Sequence, residues 1–317
     1  MPIELSQLKM AKSSLISTLL VLAILLSVQV EAVQMDLETS LLAKSTDFNK
    51  NEFSLHRIGL GAKQIISDGK GDRLHLFFRF EAEDNFTERN VDQLYLKYKG
   101  PMGRWNVTLG KSSIPFGLLT DYNSEMLVLN TQEKKTIGYR NDDGIKLSGF
   151  WKSIDYELLF SSGTWIQNHN KGDNDKLAVI RTSHKGNDLE DIKFAFSYLA
   201  GEFFGVNKLL YGIDIIKYKG LVVSRNEFVV GKEGDRDIAS VFSGIDYSLF
   251  PSIDLNMAYT YFKTKSIENS LFLGMTYNSP FYGVVLRAGS KYYFNDNKED
   301  DKNEVYIQLY KYYSHFF

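Results

Sequence analysis

The chemistry this chain could do starts with one segment, 113–139, the longest stretch that lacks a strand-like pattern. It opens on Pro115-Phe116-Gly117 and carries Asp121, Glu125 and Glu133. Proline fixes one backbone angle and glycine permits a positive one, so Pro-Phe-Gly is a sharp bend with an aromatic anchor. Long loops inside compact domains are functional or disordered far more often than idle. Flanking segments place Arg73, Arg79, Lys97, Arg104, Arg140 and Lys146, with His75, on their wet faces. A basic wall facing an acidic loop makes a transverse field that orients polar solutes. The plainer alternative is a set of charges that only solvates a wet wall, beside an ordinary surface loop. Elsewhere Asp155 and Glu157 offset Arg287 and Lys291.

Bond-making chemistry has no comparable marker. Cysteine is absent, which removes thiolate metal sites, disulfides and a cysteine nucleophile. His56, His75, His169, His184 and His315 show no zinc spacing. No Gly-x-Ser-x-Gly elbow occurs. Asp173-Asn174-Asp175 and the acidic run from Asp296 to Asp301 lack the full calcium-loop spacing and read as solvated loops. Gly59-Leu60-Gly61 is not followed by a phosphate-loop pattern. No cofactor is implied, and a net charge of -2 carries no polybasic signature for nucleic acid.

The elements that must position the loop read as strands. In 73–81, Leu74, Leu76, Phe78 and Phe80 fall on one face and Arg73, His75, Arg79 and Glu81 on the other. Side chains alternate across a strand, so this segment is apolar on one side and wet on the other. Leu94, Leu96 and Tyr98 repeat the pattern, as do Trp105, Val107 and Leu109. The segments 209–216 and 221–230 are blurred, with apolar residues on both faces. Strands are expected near 33–43, 53–66, 73–83, 91–100, 104–112, 140–151, 153–161, 176–183, 191–200, 207–218, 220–231, 238–249, 252–264, 269–278, 281–293 and 304–317. The first is the weakest, which leaves fourteen strands as the alternative count.

Many such segments, an aromatic content of 14% and no linker point to one all-β transmembrane antiparallel β-barrel over 33–317. Before it, Lys9 and Lys12, an apolar run from Leu15 to Val28 and Val30-Glu31-Ala32 have the order of a signal peptide, 1–32. Met10 is an alternative start, and an N-terminal anchor helix the alternative reading. Counted back from a periplasmic C-terminus, short connections (278–281, 250–251, 219, 183–191, 152, 100–103, 67–72) alternate with longer ones (295–303, 265–269, 231–237, 201–206, 162–175, 113–139, 84–90, 44–51). That alternation favours sixteen strands and makes 113–139 the third outer loop. The last strand ends on Phe317, with Lys311 and His315 interrupting its apolar face.

The stretch Leu109-Gly110-Lys111-Ser112-Ser113-Ile114-Pro115-Phe116-Gly117-Leu118, followed by Tyr139-Arg140-Asn141-Asp142-Asp143-Gly144-Ile145-Lys146-Leu147-Ser148-Gly149, resembles the phosphate-selective porin group and related trimeric porins. The resemblance implies a bacterial outer-membrane barrel of sixteen strands whose third loop folds inward, a homotrimer, and passive diffusion of small polar solutes or ions. It also implies outer-membrane lipid and lipopolysaccharide as surroundings, and barrel-assembly machinery that reads Phe317. The acidic residue often found between Pro and Phe is missing here. The group's phosphate specificity rests on many basic lumen residues, whereas here the basic wall faces an acidic loop and Asp155 and Glu157 offset Arg287 and Lys291, so the channel role carries over and phosphate selectivity does not. Two other classes stay open at this point: a barrel-type outer-membrane enzyme (lipase or protease), and a non-channel structural or adhesive β protein.

Overall fold

The computed structural model describes residues 33–48, 50–68, 71–83, 85–120, 133–163, 175–185, 192–203, 205–280, 283–295 and 302–317. The expected signal peptide, 1–32, lies outside them, as do Asp121 and Glu125.

Sixteen strands follow one another: β1 (Val33–Thr46), β2 (Lys50–Asp68), β3 (Gly71–Glu83), β4 (Glu88–Lys99), β5 (Trp105–Ser113), β6 (Asn141–Trp151), β7 (Ile154–Ser161), β8 (Leu177–Lys185), β9 (Ile192–Phe203), β10 (Val206–Lys219), β11 (Val222–Glu233), β12 (Arg236–Phe250), β13 (Ile253–Lys263), β14 (Ile267–Asn278), β15 (Val284–Asn295) and β16 (Asn303–Phe316). Each pairs antiparallel with its neighbours, and β16 pairs with β1, so the sheet is a closed barrel. The doubtful first strand is a full member: its register with β16 runs from Gln34 opposite Phe316 to Thr46 opposite Glu304. Without it β2 and β16 would each present a row of unpaired backbone groups, which lipid cannot solvate. The count is therefore sixteen, not fourteen.

The faces follow the alternation. Leu74, Leu76 and Phe78 on β3 stand opposite Tyr98, Leu96 and Leu94 on β4, and all point outward. On β5, Trp105 and Leu109 are exposed while Asn106 and Thr108 between them are buried in the lumen. Tyr98, Trp105, Trp151, Tyr247, Tyr277 and Tyr313 are exposed near the rim where β1 begins and β16 ends, here the terminal rim. Phe53 and Phe294 are exposed near the opposite, loop rim. Aromatic side chains at both ends of an apolar belt suit the two membrane interfaces.

The two rims differ less than the sequence suggested. Several segments read as outer loops continue the ladder instead: Lys232 pairs with Asp237 and Glu233 with Arg236. Opposite charges across an antiparallel pair stabilise it, and Gly234, with φ 57, makes the tight turn between. The asymmetry rests on three connections, 114–140, 162–176 and 296–302. The terminal strand closes the seam: Val33 and Phe317 exchange backbone hydrogen bonds of 3.2 and 2.9 Å. Lys311 lies opposite Val284, the first residue of β15, so its outward charge sits at the terminal rim, where an interface makes it cheap. His315 packs edge-on to Phe317 at 4.6 Å.

Candidate functional site: the loop-crossed lumen

The segment after β5 turns into the barrel and crosses it. Its neck is held by the Ile114 N–H, which donates to the Arg140 carbonyl at 2.8 Å. The Phe116 N–H donates to the Ile114 carbonyl at 3.0 Å, the tight bend that Pro-Phe-Gly implies. The tip reaches the far wall. There the Gly117 N–H donates to Ser197 Oγ on β9 at 3.0 Å, and the Leu118 N–H donates to Glu227 Oε2 on β11 at 2.6 Å. Gly117 adopts φ +58, and a Cβ there would stand 2.0 Å from Glu227 Oε2. Only glycine fits both the angle and the approach. The Phe116 ring fills the space left by a second glycine: a Cβ at Gly212 on β10 would meet it at 3.0 Å.

Apolar packing secures this crossing. Ile114, Phe116 and Ile137 pack with Leu159, Val179, Leu199, Leu210, Val229, Ile238 and Phe262, side chains facing inward from β7 to β13. Leu118 joins a lower cluster with Ile216, Phe242, Ala258 and Phe272. Burying each large side chain contributes roughly 1.5–3 kcal/mol, so the loop is part of the wall. The return limb begins with a helical turn, Glu133–Thr136. The Lys208 ammonium on β10 donates to the Ile137 carbonyl at 2.8 Å and pairs with Glu233 at 2.8 Å. Tyr139 stacks on Phe203 at 4.3 Å. Burial and the Asp142 carboxylate push the Tyr139 phenol well above its ordinary range, so it remains a neutral hydrogen-bond donor. Tyr139→Ala removes that stack, about 0.5–1.5 kcal/mol. Tryptic cleavage after Lys135 in the folded barrel is expected to accelerate about two- to tenfold, with the melting temperature little changed.

Opposite the docked tip the lumen wall is charged. Arg57 on β2 is 1% exposed, between Glu38 on β1 (2%) and Glu81 on β3 (3%). Arg57 pairs with Glu81, and Arg79 pairs with Glu38 and, at 2.6 Å, with Glu81. Asp92 lies 3.9 Å from Arg79. Gly59 keeps this cluster compact, since a Cβ there would stand 3.4 Å from both Arg79 Nη2 and Glu38 Cβ. Arg140, next to β6, completes the group: burial pushes it down to about 10, while Asp92 raises it and Arg57 and Arg79 lower it. It is still a cation at neutral pH.

The six basic residues thus occupy different levels. Arg79 and Arg140 belong to the interleaved Arg/Glu cluster. Lys97 lies nearer the terminal rim, opposite His75 on β3 and Thr108 on β5. Lys146, opposite Thr108, donates to the Ser113 carbonyl at 3.1 Å, beneath the loop neck. Arg73 sits at the start of β3, and exposed Arg104 precedes β5 in the terminal-rim connection. Of the loop residues, Pro115, Phe116 and Gly117 are at the crossing; the acidic Asp121 and Glu125 lie outside the described residues. Among the described residues no group of three or more His, Asp or Glu could hold a metal ion.

Sequence reasoning missed the receptor: Ser197, Gly212, Glu227 and Lys208. One signal was present. The blurred alternation of 209–216 and 221–230 marked strands whose inner face is dry, and Leu210, Ile216 and Val229 are inward-facing, buried residues under the loop.

No family model matches the sequence, and no curated protein matches it. Solved structures do match its fold. The anion-selective porin from Comamonas acidovorans superposes with a TM-score of 0.70 at 10% identity, covering 89% of this chain and 100% of that one. The trimer form of in-vitro folded OmpT, an outer membrane protein of Vibrio cholerae, gives 0.67 at 13% identity, covering 89% and 99%. OmpF of Salmonella typhi, in complex with daunomycin, gives 0.67 at 9% identity, covering 89% and 97%. At these identities the likeness is one of fold: the chain has the barrel of outer-membrane porins.

Proposed function

We propose that this protein is a bacterial outer-membrane porin through which small polar solutes and ions diffuse passively, without a covalent step. The observation that carries the reading is the loop docked on the lumen face of β9–β11 by Phe116, Gly117 and Leu118, across the barrel from the Arg57–Arg79–Arg140 wall. A crossing loop narrows a channel without closing it, and facing charges select what passes. Asp121, Glu125 and Glu133 on that loop would supply the acidic side of a transverse field. The terminal rim then faces the periplasm, lipopolysaccharide and lipid surround the apolar belt, and Phe317 is the assembly signal. A homotrimer fits the fold's relatives and is read by native gel before and after boiling.

Reconstitution of the mature chain in a planar bilayer tests the channel. Stepwise conductance is expected; a folded, heat-modifiable barrel that never conducts sinks the reading. In a salt gradient, Arg140→Ala should move the reversal potential toward cations, because a cation beside the loop neck is lost. Arg104→Ala, at an exposed rim position, should move it far less. Equal shifts would show that the constriction does not set selectivity.

A further inference from the structure

Two aromatic rings stand on the charged side of the lumen, away from the docked loop. Phe77 on β3 and Tyr95 on β4 are register partners, each between neighbours that point outward, so both face inward. Their rings stack with centroids 5.2 Å apart and 26° between the planes. Both are partly exposed, and neither belongs to the apolar clusters that seat the loop. Arg79 and Gln93 form the rung above them, His75 and Lys97 the rung below. Apolar ring surface left on a wet wall is a standing gain for any solute that covers it.

The rung decides from which side a solute can do so. It runs Lys63, Phe77, Tyr95, Gly110, Gly144 across β2–β6. The ring separation matches the spacing of cross-strand neighbours, so the rings stand side by side along the rung. Phe77 therefore covers one face of Tyr95, and the other turns toward Gly110, which has no side chain to cover it. Two cations flank the pair: Lys63 at the Phe77 end, and Lys97 two residues below Tyr95. Among the described residues neither lysine makes an ion pair or a hydrogen bond. The charges that act on Lys97 are Glu157, Lys99 and Lys63. Glu157 lies 4.0 Å from Lys146, and Asp72, at the rim, lies 3.9 Å from Lys99. Asp36 on β1, diagonal to Lys63, accepts from the Gln34 amide.

We infer that this platform is a subsite for a planar aromatic carboxylate. The solute's ring stacks on the open face of Tyr95, over Gly110. Lys97 receives the carboxylate, and Lys63 adds a second positive charge across the ring pair. A saturated acid supplies the counter-charge without the stack, and an aromatic alcohol the stack without the counter-charge. The inference rests on the porin reading and names one class of solute within it.

Saturation-transfer NMR on the folded barrel in detergent, referenced to empty micelles, reads binding whether or not the barrel conducts. Benzoate is expected to bind saturably, and cyclohexanecarboxylate and benzyl alcohol each several-fold more weakly. Tyr95→Leu should weaken benzoate about fivefold, the loss of one ring stack, and leave cyclohexanecarboxylate unchanged. Lys97→Gln should weaken benzoate about tenfold, the loss of a charge-assisted contact, and leave benzyl alcohol unchanged. Lys63→Gln should act in the same direction with a smaller effect. If Tyr95→Leu loses heat-modifiable mobility, Phe77→Leu carries the ring test. Equal binding of cyclohexanecarboxylate, or silence of the ring variant, overturns the platform. Equal binding of benzyl alcohol, or silence of Lys97→Gln, overturns its preference for an acid. A barrel that conducts but does not bind benzoate defeats this inference alone, and one that binds but does not conduct defeats the porin reading alone.

Discussion

Gly117→Val is expected to release the third loop and raise single-channel conductance more than any other single substitution described here. Two independent costs fall on one residue. At φ +58 a β-branched side chain is strained by about 1–3 kcal/mol. Its Cβ would also stand 2.0 Å from Glu227 Oε2, so the carboxylate must move and the Leu118 N–H loses a charged acceptor, about 1.5–3 kcal/mol. Together these approach the burial gain of Phe116 and Leu118. The barrel ladder is untouched, so heat-modifiable mobility should persist while open-state conductance rises and its noise increases. Glu227→Ala gives an internal check. It removes both the clash and the acceptor, so Gly117→Val should cost less in that background than alone. An unchanged conductance in Gly117→Val would mean that the docked tip does not limit the passage.

Arg57→Met is expected to lower stability by about 3 kcal/mol and to shift ion preference toward cations. The side chain is nearly the same length and apolar, so packing is largely kept. What is lost is one of two cations between Glu38 and Glu81, carboxylates of adjacent strands that are 2% and 3% exposed. Arg79 still reaches both, which limits the loss to the low end for a broken buried pair. The uncompensated charge faces the lumen opposite the docked loop, where it should attract cations. The stability effect is read from the unfolding midpoint in denaturant, and the charge effect from the reversal potential. Arg57→Met with Glu81→Gln restores the charge balance and should return the reversal potential toward its starting value while recovering part of the stability. A reversal potential that ignores both changes would place the ion path elsewhere.

Much of the molecule was legible in one dimension. Period-two alternation depends only on neighbouring residues, so Leu74, Phe78, Trp105 and Leu109 declared their outward face without any knowledge of partners. The bend at Pro115-Phe116-Gly117 was legible for the same reason, since its backbone chemistry is local. The inward course of the loop came from resemblance to other porins, not from those residues themselves. The charged wall was only half legible. The faces of Arg79, Lys97 and Lys146 were correct, but their levels along the barrel axis depend on register and on bulges, such as the shift between Arg79 and Phe80 that leaves Asp92 as the extra residue. The interleaving of Arg57 and Arg79 with Glu38 and Glu81 joins three strands.

The sequence by itself determined that this chain makes a two-faced sheet, the neighbourhood of each strand, and which segment bends sharply. These are consequences of alternation and local backbone freedom, written residue by residue. The pairing of β1 with β16 that closes the barrel came from the structure. Only the tertiary structure decided where the loop lands. Ser197 and Gly212 come together as register partners, with Glu227 two residues along β11 from Val229, the partner of Gly212 on that side, a fact of hydrogen-bond register that no short stretch of sequence contains. The same register turned apolar residues in β10 and β11 from apparent noise into the seat of Phe116.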